Sequence, residues 1–152
     1  MEKIQKIELA FTEWAFPVQN GYSLKKKEKI SEFDAGYRNY LGVYYGSKNR
    51  KLNFSFFEYF RDEQINQFTF LIECLDCGNA AIFKTFSIDE YFRKNGMSEK
   101  PTKCSLNHYP ENSIDEQIQS VFQFFEQELS SAELLPMLKG EKWLDQYYYS
   151  FR

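Results

Sequence analysis

Apolar positions in the first twenty residues recur at intervals of three and four: Ile4, Ile7, Phe11, Trp14 and Val18, with Glu2, Lys3, Lys6 and Glu13 between them. That spacing lays one apolar stripe along a helix, and Pro17 followed by Asn20-Gly21 marks its end. Residues 22–38 carry no clear period. The run Lys25-Lys26-Lys27-Glu28-Lys29, then Asp34-Ala35-Gly36, suits a short helix or an irregular connection equally well.

From Asn39 the rhythm shortens to two. Residues 40–45, 52–60, 67–75 and 80–86 are β-branched or aromatic runs of strand length. Short turn-forming stretches separate them, and links this short join antiparallel neighbours. The pattern therefore predicts a four-stranded meander. Alternation assigns Leu52, Phe54, Phe56, Phe68, Phe70, Ile72, Ala81 and Phe83 to one face. A tight last hairpin would set Ile72 opposite Ala81 and Phe70 opposite Phe83. The other face mixes Phe57, Tyr59, Leu71 and Ile82 with Ser55, Thr69, Glu73 and Lys84. That is too apolar for a fully solvated face, so either helices cover both sides or part of this one awaits a partner.

Ser87-Ile88-Asp89-Glu90 and Ser113-Ile114-Asp115-Glu116 both fit the capping box that opens a helix. The first helix ends near Asn95-Gly96, and residues 97–112, with Pro101 and Pro110, read as a long loop. The second helix is the clearest in the chain, its stripe formed by Ile114, Ile118, Val121, Phe122, Phe125 and Leu129. A further turn or two holds Leu134, Leu135 and Leu138, interrupted by Pro136. The expected whole is a single α+β domain over residues 1–152: an N-terminal helix, a four-stranded antiparallel sheet, and C-terminal helices packed on it.

Composition adds a core of few, large side chains, with 16 Phe, 11 Tyr and 2 Trp. Tyr and Trp carry a polar tip and are enriched at recognition surfaces, and eleven tyrosines are more than a small core hides. The net charge of −3 argues against nucleic acid and anionic membrane as partners. Charge is unevenly spread: residues 105–152 hold three Lys/Arg against eight Asp/Glu. Met1-Glu2-Lys3-Ile4 leads into an amphipathic stretch rather than an apolar leader, and no window reaches the ~20 apolar residues of a membrane span. An odd count of three cysteines argues against a disulfide framework. The expected location is the cytoplasm.

Of the patterns that could carry chemistry, the most specific is Cys74-Leu75-Asp76-Cys77-Gly78 followed by Cys104 and His108. A C-x-x-C at a hairpin tip can form a zinc knuckle, and Cys104 and His108 could complete a Cys3His site. Against that stand the 26 residues between the pairs and a chain long enough to fold without metal. An inert core thiol is the ordinary alternative.

There is no P-loop, dinucleotide-binding glycine fingerprint, G-x-S-x-G or H-E-x-x-H, and the single histidine lies in a Pro-flanked loop. No cofactor is expected, and the chain reads as a non-enzyme.

What remains is protein binding. Glu126 and Glu128 on the acidic helix, with Tyr147, Tyr148 and Tyr149 in the tail, are the candidate contacts: aromatic anchors for area, carboxylates to steer a basic partner. In size, acidity and composition the chain resembles bacterial immunity proteins, which occlude the basic active site of a cognate toxin. The resemblance is one of build, with no motif matched residue by residue. A zinc-stabilised adaptor or regulatory protein using the four Cys/His ligands is the second reading.

Overall fold

The two-residue rhythm builds more sheet than its four clearest runs announce. A computed structural model describes residues 2–75, 83–143 and 149–151, with backbone only at 31–32, 83–84 and 149–151. Among the described residues six antiparallel strands lie side by side in chain order. They are β1 (Ser23–Asp34), β2 (Tyr37–Gly46), β3 (Arg50–Tyr59), β4 (Ile65–Cys74), β5 (Phe83–Ser87) and β6 (Tyr149–Phe151). The helices are α1 (Lys3–Glu13), α2 (Phe16–Gln19), α3 (Ile88–Lys94), α4 (Ile114–Leu129) and α5 (Leu134–Leu138). The architecture is α+β, and the expected four strands become six.

The added strand β1 is the lysine-rich stretch that shows no period. It pairs with β2 along its length, but its register slips between Leu24 and Lys26 and again between Lys29 and Glu32. Each bulge inserts a residue and breaks the alternation that identifies a strand. As an edge strand it is also solvated, and lysines along an edge oppose pairing with another chain.

The register of β5 corrects the expected hairpin. Ile72 pairs with Phe86, and Cys74 with Lys84, so the pairing lies five residues further along than an Ile72–Ala81 match. An odd shift exchanges the faces of the strand. It places Phe86, fully buried, over Ile72 in the core and ends the strand at Ser87, where α3 begins. Ala81 and Ile82 lie outside the described residues.

The core sits on one side of the sheet. Leu41, Val43 and Tyr45 of β2, Leu52, Phe54 and Phe56 of β3, and Phe68, Phe70 and Ile72 of β4 are all buried there, as the alternation of β3 and β4 requires. Helices α1, α3, α4 and α5 supply the other half of this cluster. Phe125 of α4 is its centre, with ring centroids 5.3 Å from Phe54, 5.3 Å from Phe70 and 6.1 Å from Phe68. On the opposite face Phe57, Tyr59 and Leu71 are half-buried.

Among the described residues three tyrosines are buried, and their hydroxyls tie elements together. Tyr45 donates its hydroxyl to the carbonyl of Phe11 at 2.9 Å, and Tyr22 donates to the carbonyl of Leu138 at 2.7 Å. Both acceptors are last-turn carbonyls, of α1 and α5, where the helical ladder runs out; that of Phe11 also accepts the Trp14 amide at 3.3 Å. The third, Tyr91, bonds the carboxylate of Glu133.

The predicted stripe of α1 holds for Ile7, Phe11 and Trp14 and fails at Val18, which is 62% exposed. The helix stops at Glu13, and Pro17 opens a separate short turn instead of closing one long helix. The capping boxes are also revised. Ser113 accepts from the Glu116 amide at 3.3 Å, whereas the side chain of Ser87 makes no cap bond.

Candidate functional site

Helices α1 and α4 pack against each other over the sheet, and the crease between them stays open. Two adjoining cavities of about 340 and 500 Å³ run along it, sharing Ala10, Glu13, Ile118 and Gln119. The stripes of the two helices explain the floor. Trp14 and Phe122 meet with centroids 4.9 Å apart, and Ile118 lines the floor beside them. The rim is the polar flank of the same helices, and it carries Glu13, Asp115, Glu116 and Glu126. Lys6 is the one cation among the described lining residues, and it is paired with Asp115 at 3.3 Å. Leu9 stands at the edge, 43% exposed.

Glu126 sits in this groove as the sequence proposed, but it is not a free carboxylate. Its Oε1 accepts the indole N–H of Trp14 at 2.7 Å. Glu128 is elsewhere. Two residues along a helix turn the side chain by about 200°, and Glu128 faces the 3₁₀ turn at Lys100–Cys104, where it accepts from Lys100 Nζ at 2.6 Å with only 12% of its side chain exposed. The two acids therefore do not form one patch. Glu13 and Glu116, which sequence reasoning passed over, share the groove with Glu126; the signal was available, since both lie next to stripe positions. Tyr147 and Tyr148 fall outside the described residues, and Tyr149 is placed only as the first residue of β6, paired with Thr85.

Cys74, Cys104 and His108, the described members of the Cys/His set, lie apart. Cys74 ends β4, buried on the core face. It is disulfide-bonded, so this cysteine is neither a free thiol nor a thiolate ligand. Cys104 precedes Ser105, which bridges to Gln67 near the opposite end of the same strand. Seven positions of strand separate Gln67 from Cys74, roughly 20 Å at the rise of a β-strand. His108 is exposed in the second 3₁₀ turn and meets Tyr109 edge-on at 4.8 Å. Cys77 lies outside the described residues. Among the described residues no three His, Cys, Asp or Glu side chains converge as metal ligands. Cys104 is fully buried, and burial, reinforced by Asp89 and Glu128, pushes its thiol far above the usual range. It has the character of a core residue rather than of a nucleophile.

No helix among the described residues is long and apolar enough to cross a membrane. No known protein family, curated protein or solved structure matches this sequence.

Proposed function

We propose that this chain is a non-enzymatic protein-binding module whose α1–α4 groove receives a basic surface of a partner, and that the partner is a toxin whose active site it occludes. The observation that carries the reading is the groove itself. An apolar floor of Trp14, Ile118 and Phe122 lies under a rim of four carboxylates with one cation. A desolvated aromatic centre inside a charged rim is how non-obligate interfaces divide affinity from steering. The acidic contact set is Glu13, Glu116 and Glu126. Glu128, held by Lys100, supports the helix rather than the surface.

The test is kinetic. The product of the reading frame adjacent to this one is the candidate partner, and its association is followed at two salt concentrations. Reversal of Glu13 and Glu116 to Lys, both exposed and outside the core, should slow association at least tenfold at low salt and flatten its salt dependence. Unchanged association would remove the groove from the interface. A candidate that binds tightly yet keeps its full activity would remove the toxin reading while leaving protein binding.

A further inference from the structure

The outer side of β1, β2 and β3 holds a second cavity, of about 470 Å³, with the opposite electrostatic character. Its described lining includes Lys25, Lys26, Arg50 and Lys51, with Glu28 as the single acid. Glu73 pairs with Lys51 across the strands and adds a second acid beside it. The guanidinium of Arg50 turns away from this cavity, against Gly140 and over the Tyr22 ring, so three lysines stand against two carboxylates, with Lys26 3.6 Å from Glu28. In regular alternation Lys25 and Lys26 would point to opposite faces of β1. The register slip between Leu24 and Lys26 leaves Lys25 as the extra residue, and both lysines line the one cavity. Bulges often serve to re-aim a side chain at a site in this way. Gly46 makes room for it: a Cβ there would lie 3.1 Å from the stem of Lys25.

The cavity wall also holds polar atoms without partners. Ser47 Oγ and Asn53 Oδ1 are buried and make no hydrogen bond. A buried polar atom left unpaired costs about 1–3 kcal/mol, so two in one wall favour an occupant that brings hydrogen-bonding groups to it. A bare anion would leave Asn53 Oδ1 unsatisfied, because that atom accepts and needs a donor. Tyr44 supplies a flat wall, its ring lying over Gly42 so closely that a Cβ there would meet the ring hydroxyl at 2.6 Å. The volume is in the usual range for small-molecule sites.

The geometry points to a small organic phosphate as the occupant of this cavity: the phosphoryl group on Lys25, Lys26 and Lys51, the hydroxyl-bearing body toward Asn53, Glu28 and the Tyr44 ring. This site is independent of the acidic groove. The test is calorimetric titration of the full chain with ribose 5-phosphate, ribose and inorganic phosphate as probes. Ribose 5-phosphate should bind at least tenfold more tightly than either of the others. The Lys26→Ala/Lys51→Ala double variant should weaken it at least tenfold, while Lys29→Ala/Lys48→Ala, which removes the same charge outside the cavity, should leave it within twofold. All four positions are surface lysines, and a melting curve checks that each variant is folded. Ribose 5-phosphate binding no tighter than inorganic phosphate, equal loss in both double variants, or no binding at all would overturn the proposal.

Discussion

Trp14 donates its indole N–H to Glu126 across 2.7 Å, joining the C-cap of α1 to the last turn of α4. The bond does two things at once. It closes the aromatic floor, since Trp14 is only 9% exposed and its ring needs a partner for its one polar atom. It also fixes a carboxylate at the lip of the groove, so that part of the acidic rim is held in place before any partner arrives. Preorganisation of this kind reduces the ordering cost of association.

The bond separates two substitutions at position 126. Glu126→Gln keeps an acceptor for the indole and should lower stability by less than about 1 kcal/mol, while Glu126→Leu strands the N–H and should cost about 1.5–3 kcal/mol. Urea unfolding of the two variants makes the comparison. Equal losses would mean that the indole bond contributes little and that Trp14 is held by packing alone.

Phe125 is the residue on which the helical layer and the sheet converge, its ring beside those of β3, β4, its own helix and Trp14, which caps α1. Phe125→Ala should cost about 3–5 kcal/mol, the range for a large aromatic removed from a filled core. Phe57→Ala, on the half-buried outer face, should cost clearly less. Chemical denaturation midpoints with unchanged slopes would establish the ranking.

Stability should fall at alkaline pH. Burial raises the folded-state pKa of Tyr45 and of Cys104, so both keep their protons in the folded chain. The unfolded chain releases the Cys104 proton above about pH 8.5 and the Tyr45 proton above about pH 10. Above those values the folded state binds more protons, and stability declines with pH by up to about 1.4 kcal/mol per unit for each group. Below pH 8 both contributions are fully present. Thermal melts from pH 7 to pH 11 should show the decline, and Cys104→Ala should delay its onset from about pH 8.5 toward the tyrosine range.

The turn between β3 and β4 carries strain that substitution can release. Glu63 and Gln64 both have left-handed backbones, with φ of 60° and 63°, a region that costs non-glycine residues about 1–2 kcal/mol. Glycine adopts it freely but loses more entropy on folding. Glu63→Gly and Gln64→Gly should therefore each stabilise by roughly 0.5–1 kcal/mol, read as a rise in melting temperature. A fall would mean that one of these side chains makes a stabilising contact in the turn.

Much of this architecture is legible along the chain, and the illegible parts share a cause. Leu52, Phe54, Phe56, Phe68, Phe70 and Ile72 announce their common face because each strand alternates without interruption, and α4 announces itself because its stripe runs unbroken from Ile118 to Leu129. Strand β1 does not, since two bulges reset its period and an edge strand needs few apolar residues. The register of β5 depends on the length of a connection, which alternation leaves undetermined. The site is legible only in part for a similar reason. Glu126 and Glu128 are neighbours in sequence but face different elements, while Glu13 and Glu116 become neighbours only when α1 lies along α4. Charge content indicates the acidic helix; the pairing of helices decides which acids share a surface.

The account rests on the groove between α1 and α4 as the contact surface, and backbone amide shifts recorded while the partner is added read that surface directly. Perturbations should concentrate at residues 6–14 and 115–126, with β1 and the outer face of β3 and β4 unmoved. Shifts centred on β1, or on Phe57, Tyr59 and Leu71, with the helical pair silent, would contradict it.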